Sequence, residues 1–390
     1  MPLKNRIENI DLLRGIVMII MALDHTRDFI HSEAFTDDPL NLQTTTPFLF
    51  FTRWITHLCA PTFVFLSGTS IYFQTLRKTI PELASFLLKR GAWLLIAEVT
   101  LITLAITFDL TYSVFVLQVI WAIGISMVLL GLIIRLPFYV IFSIGIIIFF
   151  GHNLLDYYEA RQGGNFPVWY HLLHRQGIFT IGSSKSVYLL YPMLPWVGVM
   201  IMGYCFGRYY LYDVMTRHKR TIWLGAGLLL LFIILRAVDV YGDPLKWAEQ
   251  KNSLYTFLSF INIQKYPPSL LYCCVTLGVS LLVLGISGES KNRLTSIVSI
   301  YGRVPLFYYI LHFYLIHLIS AVLFLARGHT IEEGLTGESG LPFKFLYAGE
   351  GYSLAIVYLV WVFVVVVLYP LCKRYAAYKA QHRKWWLSYL

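Results

Sequence analysis

Long apolar runs constrain the fold of this sequence more than any other feature. A helix needs about 20 apolar residues to cross the hydrocarbon layer of a membrane, and 57% of the 390 residues are hydrophobic whereas only 13% are charged. Runs of roughly this length occur near 10–30, 58–76, 84–107, 114–134, 136–152, 189–209, 220–240, 268–287, 301–326 and 352–372. The sequence therefore predicts an all-α polytopic membrane protein, with about ten transmembrane helices in a single transmembrane domain over residues 1–390.

The distribution of charge predicts how these helices are oriented. Cytoplasmic segments of membrane proteins are rich in Lys and Arg. When the N-terminus is placed in the cytoplasm, the cytoplasmic segments hold many of the basic residues, among them Arg77, Lys78, Lys89, Arg90, Arg135, Arg217, Lys219, Arg220, Lys373, Arg374 and Lys379. The outer segments then hold most of the acids, among them Glu33, Asp37, Asp38, Asp156, Glu159, Asp243, Glu249, Glu332, Glu333 and Glu350. We therefore expect both termini in the cytoplasm, and the excess of 10 positive charges reflects topology and contact with membrane lipid rather than nucleic-acid binding.

Two smaller features bear on the membrane fold. The stretch 46–57 is compatible with a short interfacial helix or with an early part of the second span. The five cysteines lie in or at the end of apolar runs and lack metal-ligand spacing, so we expect buried thiols and no disulfide framework. The sequence also lacks a Gly-rich phosphate loop and a Cys/His metal cluster, and we expect no metal.

The first apolar run carries ionisable residues in a regular pattern. On a helix, residues spaced by three or four positions share one face, and that face here carries Asp11, Arg14, Met18, Met21, His25 and Asp28. Arg14 and His25 lie about 16 Å apart along the axis at 1.5 Å per residue. One face thus offers a cation towards the cytoplasm and an imidazole towards the outer side, with methionines between them.

The cluster around His25 has two interpretations. Ionisable residues at the ends of a span often serve as interfacial anchors, and Arg14 and Asp28 alone fit that explanation. Ionisable groups within a bilayer are costly, however, and usually face a cavity or a partner. A carboxylate from Asp24 or Asp28 beside His25 would hold the imidazole in one tautomer and raise its basicity, which suits a general base.

Several sequence blocks resemble a known family. The blocks are IDLLRG, MALDHTRDF, CAPTFVFLSGTS, YPMLPWVGVMIMGYCFGR, KYPPSLLY and GRVPLFYYILHFYLIH. In this order they resemble bacterial proteins with the heparan-α-glucosaminide N-acetyltransferase catalytic domain, a family that includes the lysosomal enzyme acetylating the terminal glucosamine of heparan sulfate with cytosolic acetyl-CoA. The ten-residue gap between Arg14 and His25 is also similar to membrane acyltransferases that O-acylate bacterial surface sugars.

The resemblance implies an acetyl-CoA-dependent acyltransferase of the bacterial inner membrane, without a metal. An acyl-CoA entering from the cytoplasm would need cations at the inner mouth, for which Arg14, Arg90 and Arg303 are the candidates. His25 would act on the acetyl group as general base or as transient acyl carrier. A lumenal histidine is implicated in the lysosomal relative, so His31 remains the alternative to His25, and that relative has Asn at the place of Asp24.

The acceptor would be an amine or hydroxyl of an extracytoplasmic sugar or glycan. His57, Lys265 and His312 are the candidates for contacting it. His57 is equally well explained as a hydrogen-bonded helix-end residue, and Lys265 as an anchor. His312 and His317 are five residues apart, about 140° around a helix at 100° per residue, so we expect only His312 to face the site. Glu98 lies deep in the third run, where an acid needs a partner or a function.

A membrane transporter or flippase for a glycan or small polar solute is the alternative to an acyltransferase, since proton-coupled transporters also place Asp and His inside the membrane. The sequence shows no pair of corresponding broken helices in two halves, which transporters often have. It leaves open the acceptor, N- or O-acylation, and the oligomeric state, for which a homodimer is one option.

Overall fold

The computed structural model describes residues 7–182, 184–288, 292–336, 341–382 and 384–388, and this part of the chain is mostly helical. Its α-helices are α1 Glu8–Ile30, α2 Pro47–Ile55, α3 Cys59–Thr75, α4 Ile80–Ala97, α5 Thr103–Thr107, α6 Val119–Ile133, α7 Phe138–Gly151, α8 Leu154–Gln162, α9 Val168–Leu173, α10 Met193–Phe206, α11 Val214–Val238, α12 Ser253–Ile261, α13 Leu270–Ile286, α14 Arg293–Arg303, α15 Pro305–Ala326, α16 Ile331–Thr336 and α17 Leu354–Gln381. The strands are β1 Val114–Leu117, β2 Gly177–Ile181 and β3 Lys185–Leu189.

The helices confirm the class of a helical membrane protein. By length and apolar composition, 5 helices of the described chain can cross a membrane, or up to 6 if the bent pair α7 and α8 forms one span. The helix Pro47–Thr75 is one of them, so the stretch 46–57 joins the second span through a single 3-10 turn. The helices α6 and α13 are apolar but shorter.

A small sheet departs from the predicted all-α fold. The order of strands is β1-β3-β2, with β3 parallel to β1 and antiparallel to β2. Residues 114–117 were expected to begin the fourth span, but their sequence VFVL is rich in β-branched side chains, which favour strands. The helix in the run 189–209 is likewise shorter than expected, because Leu189 ends β3 and Pro192, which disfavours helical conformation in the residue before it, is the N-cap of α10.

The first helix lies at the centre of the structure. It packs against α3, α14, α15 and α17, and 16 of its residues are buried, including Asp11, Asp24 and Arg27. Gly15 on α1 and Gly302 on α14 let the two backbones approach, because a Cβ at Gly302 would overlap the carbonyl of Asp11. Acids in its first turn and Arg27 in its last turn complement the helix dipole. This central position carries the ionisable stripe of α1 into the protein interior.

The five cysteines are buried as expected, and a glycine of α3 allows close helix packing. All five thiols are free and buried. Gly68 touches the backbone of α10 so closely that a Cβ there would overlap the carbonyl of Met200, and Thr69 Oγ1 donates to the carbonyl of Gly203 at 3.0 Å. Small residues therefore bring α3 and α10 together, as is usual in membrane proteins.

Candidate active site

A cavity of about 270 Å³ lies between α1, α3, α4, α6 and the α14–α15 junction. Four basic side chains line it, namely Arg14, Arg90, Arg303 and Lys379. The lining residues change along the helices. Arg14 lies before Met18 on α1, and Arg303 at the end of α14 lies before Tyr309 on α15. One end of the cavity is therefore basic, and an aromatic and apolar wall closes the opposite end.

The basic end brings together the three arginines that the sequence suggested for an anionic ligand. Asp11 lies between two of them, 3.9 Å from Nη1 of Arg14 and 4.0 Å from Nε of Arg303. Arg14 also donates from Nη2 to the carbonyl of Leu66 at 3.0 Å and to the hydroxyl of Ser70. These contacts fix the guanidinium of Arg14 at the cavity wall, where cations outnumber the acid between them.

Lys379 is a cavity residue that sequence reasoning missed. It lies near the end of α17, and from the sequence it was expected only among the basic residues of the cytoplasmic segments. A stack between Phe307 and Tyr375, with ring centroids 4.3 Å apart, holds this end of α17 against α15. The available signal for the position of Lys379 was its helical spacing from Tyr375, since residues four apart lie on one face of a helix.

At the apolar end, His25 of α1 meets His312 of α15. Nδ1 of His25 lies 2.7 Å from Nε2 of His312, and the ring of Phe313 stacks on His25 with centroids 4.1 Å apart. Tyr309, which lines the cavity, contacts both imidazoles edge-on, with ring centroids 6.2 Å from His25 and 5.4 Å from His312. The histidine pair therefore lies directly behind the Tyr309 wall of the cavity.

The hydrogen bonds of the pair fix its tautomers when both rings are neutral. Nδ1 of His312 lies 3.1 Å from the carbonyl oxygen of Tyr308. A carbonyl oxygen can only accept a hydrogen bond. Nδ1 of His312 therefore carries the hydrogen, and its Nε2 accepts. Nδ1 of His25 must then donate to His312, which leaves Nε2 of His25 with a free lone pair. This arrangement prepares His25 to accept a proton or to act as a nucleophile.

The acids near His25 take a different position from the one expected. Asp24 accepts from Arg53 and from Nη2 of Arg27 at 3.2 Å, and Nζ of Lys265 lies 3.7 Å away. Asp28 forms an ion pair with Arg27 at 2.6 Å. Long guanidinium side chains from the same helix and from α2 reach these carboxylates, and the partner that orients His25 is His312. Asp24 and Asp28 thus belong to a charge cluster with Arg27, Arg53 and Lys265, and their role in orienting His25 stays a prediction.

The remaining candidate histidines lie on separate parts of the site. His31 follows the last turn of α1, and its Nδ1 accepts from the backbone N–H of Glu33 at 3.3 Å. Burial lowers the pKa of the His31 imidazole, so the ring is mainly neutral at pH 7. His57 is buried, and neither of its ring nitrogens has a hydrogen-bond partner among the described residues. His317 lies away from the pair, with its ring nitrogens near the carbonyls of Ala105 and Lys344.

Glu98 is connected through Gln118 to Tyr309, at the apolar end of the cavity. A π-helical turn begins at Glu98, and such turns are frequent at functional sites. The Glu98 carboxylate accepts from the backbone N–H of Gln118, and the side-chain oxygen of Gln118 accepts from the Tyr309 hydroxyl at 3.4 Å. A partner was expected for this buried acid, and the structure gives it the backbone N–H of Gln118.

Comparison with known proteins identifies one matching family. The family described as "Heparan-alpha-glucosaminide N-acetyltransferase, catalytic" matches residues 6–235, more than half of the chain. No curated protein sequence gives a significant match. The matched residues include Arg14, His25 and Arg90, whereas Lys265 and His312 lie beyond the match. The structure thus adds the partner of His25 from a part of the chain that the family match does not reach.

Proposed function

This chain belongs to the heparan-alpha-glucosaminide N-acetyltransferase catalytic family, and we propose that it transfers an acetyl group from cytosolic acetyl-CoA to an extracytoplasmic acceptor. The acceptor group would be an amine or a hydroxyl of a sugar or glycan. One observation carries the proposal: a cavity with a basic end leads along α1 to a histidine pair whose tautomers leave one imidazole nitrogen free. The protein would act in a bacterial inner membrane, which it crosses about ten times.

The proposed topology places the basic end of the cavity in the cytoplasm. The rule that Lys and Arg collect on the cytoplasmic side gives both termini that location, and Arg14, Arg90 and Lys379 then face the compartment that holds acetyl-CoA. His25 lies further along α1, towards the outer side. An acetyl group at His25 would therefore be within reach of an acceptor from outside.

The topology predicts the accessibility of single cysteines. The native thiols are all buried, so a cysteine introduced at an exposed position gives a readable signal. We expect Asp37→Cys to react with a membrane-impermeant maleimide added to intact cells, and Lys373→Cys to react only after the cells are opened. Equal reaction at both positions in intact cells contradicts this topology.

The basic end of the cavity is suited to the phosphates of acetyl-CoA. Arginine binds phosphate through charge-assisted and often bidentate hydrogen bonds, and an opening of low dielectric strengthens them. The pantetheine arm would lie along the wall that contains Met18 and Phe63 and bring the thioester to Tyr309. The cavity accommodates this narrow arm, and the adenine nucleotide would lie at the basic mouth.

We expect Arg14→Ala to weaken CoA binding about 10- to 100-fold, because a hydrogen bond to a charged group contributes about 1.5–3 kcal/mol. Isothermal titration of the purified protein with CoA measures this change. Arg135→Ala is the matched control, since Arg135 is an exposed basic residue outside the cavity lining. An unchanged affinity in Arg14→Ala assigns Arg14 only to the contacts with Leu66 and Ser70.

The proposed reaction uses the free nitrogen of His25. Nε2 would take the proton from the acceptor amine or hydroxyl as that group attacks the thioester carbonyl. The new C–N or C–O bond forms, the C–S bond breaks, and the thiolate of CoA receives the proton from His25. A relay through an acetylated His25 is the alternative path: Nε2 attacks the thioester carbonyl, the C–S bond breaks and the CoA thiolate leaves. The acceptor then attacks the acetyl group, its bond to Nε2 breaks, and the acceptor's proton passes to the thiolate.

The acceptor would approach from the side of Lys265 and His57. Lys265 belongs to the charge cluster, in which Asp24 directly precedes His25 in the chain. His57 supplies an imidazole that is buried without a hydrogen-bond partner among the described residues. Buried polar groups usually have a partner, and a sugar hydroxyl would provide one. These two side chains are the proposed contacts of the acceptor.

Acetyl-CoA with a radiolabelled acetyl group tests the proposal. Purified protein in detergent is incubated with labelled donor and amine- or hydroxyl-bearing sugars, and release of CoA and transfer of label are measured. Transfer that depends on the protein supports the acyltransferase. Uptake of a glycan into proteoliposomes without release of CoA instead supports the transporter.

A further inference from the structure

A second cluster of ionisable side chains lies where α7, α8 and α9 meet, in a segment that the proposed reaction does not use. Oxygen atoms of Asp156 and Glu159 and a ring nitrogen of His174 lie within 4.8 Å of one another. Nδ1 of His174 is 2.7 Å from Oε1 of Glu159. His174 is fully buried, and the two acids are half-buried. Three potential metal ligands, two from α8 and one from the end of α9, thus converge on one point.

Each of these three side chains has a partner behind it. His152 Nδ1 lies 3.2 Å from Nε2 of His174, Asn153 donates to Asp156 at 2.6 Å, and the Tyr170 hydroxyl donates to Glu159 at 3.2 Å. Metal ligands in proteins are commonly held in this way, since a hydrogen bond to the far side of a ligand fixes its orientation and its proton state. These hydrogen bonds therefore already hold the three side chains in the orientation that metal binding requires.

The charge of the cluster also favours a cation. Two carboxylates face one imidazole, and among the described residues neither acid forms an ion pair with Lys or Arg. In this structure Nδ1 of His174 and Oε1 of Glu159 lie 2.7 Å apart, within hydrogen-bond distance. A bound divalent ion would need the lone pair of Nδ1, so the hydrogen of the neutral imidazole would lie on Nε2 and point to Nδ1 of His152, 3.2 Å away.

We propose that Asp156, Glu159 and His174 bind a divalent first-row transition ion, with Zn²⁺ as the probe. An imidazole favours such ions over Mg²⁺ and Ca²⁺, whereas carboxylates alone would not. Three protein ligands leave room for water in the remaining coordination positions. The ion would join α8 to α9 and so fix the hairpin of β2 and β3, which follows directly. The proposed site contains one histidine and two acids, rather than the Cys/His cluster whose absence from the sequence led to the prediction of no metal.

Zn²⁺ binding to the full-length protein in detergent tests this site without any assay of acetyl transfer. The protein is treated with a chelator and desalted, and Zn²⁺ is then titrated by calorimetry, with Mg²⁺ in a parallel titration. We expect one Zn²⁺ per chain, a rise in the thermal unfolding temperature, and no comparable binding of Mg²⁺. Glu159→Gln and Asp156→Asn keep the side-chain shapes and should abolish or strongly weaken the binding.

Two further variants make the result specific. Tyr170→Phe removes a hydrogen bond to a ligand and should weaken Zn²⁺ binding about 10-fold or more, the usual effect of losing such a partner. His171→Gln is the matched control, since it removes a histidine from the same segment outside the three ligands, and it should bind as the wild type does. The site is refuted if the wild-type protein takes up no Zn²⁺, or if Glu159→Gln binds it as tightly as His171→Gln does.

Discussion

Replacing His25 by alanine is expected to lower the rate of acetyl transfer by about 10²–10⁴-fold, the usual contribution of a positioned acid or base. Proton transfer occurs in the transition state, whereas the affinity for acetyl-CoA comes mainly from the basic end of the cavity. CoA binding should therefore change little in His25→Ala. Transfer of labelled acetyl and titration with CoA, measured on the same preparation, separate these two effects.

Comparison variants show whether the histidine pair or only one histidine matters. His312→Gln keeps an oxygen that can accept the hydrogen of His25 Nδ1, whereas His312→Phe removes the acceptor and keeps the ring. We expect His312→Gln to retain more activity than His312→Phe, with CoA affinity unchanged in both. The reason is that the acceptor fixes which nitrogen of His25 carries the hydrogen.

The outer histidine provides the decisive contrast. His31→Ala should retain most of the activity, and His382→Ala, at the exposed end of α17, should equal the wild type. Loss of activity in His31→Ala with an active His25→Ala would move the catalytic assignment to the loop after α1. The neutral imidazole of His31 is chemically able to take that role, so this experiment decides between two real alternatives.

The sequence predicted the basic end of the cavity because two independent patterns lead to it. Positive charges collect on one side of a membrane protein, and the helical period of α1 separates Arg14 from His25 by three turns. These patterns indicate that Arg14 lies towards the cytoplasm and apart from His25, whereas Arg90 and Arg303 were suggested by the acyl-CoA that the family resemblance implies. Lys379 obeys the same charge rule, but a basic helix end at the lipid headgroups explains it equally well until the packing of α17 is known.

Helix periodicity does not predict which side chains contact His25 and Asp24. Spacing along α1 brings Asp28 onto the face of His25, but it does not show that Arg27 and Arg53 reach the acids first. The preferred histidine, His312, lies beside His25 and His317 does not, but this contact depends on how α1 packs against α15. Likewise, the apolar run 114–134 contains β1, because a short strand followed by a helix cannot be distinguished from one buried helix by periodicity alone.

Replacing Asp24 by asparagine is expected to destabilise the folded protein by about 3–5 kcal/mol, the usual cost of removing one partner from a buried ion pair. Asp24 is the acid that contacts Arg27, Arg53 and Lys265 together, and its side chain is only 9% exposed. Without its charge, these cations lie close together with Asp28 as their remaining acid in the cluster. Thermal or denaturant unfolding in detergent measures the loss.

Asp28→Asn is the matched control for Asp24→Asn, since it makes the same change one helical turn further along α1. The Asp28 side chain is 36% exposed and pairs with Arg27, so water replaces its contribution and the loss of stability should be far smaller. Adding Arg53→Met to Asp24→Asn should recover part of the stability, because it removes an uncompensated buried cation. If Asp24→Asn instead leaves unfolding unchanged while turnover falls as far as in His25→Ala, then Asp24 acts on the imidazole of His25, and the charge cluster is not what holds this end of α1.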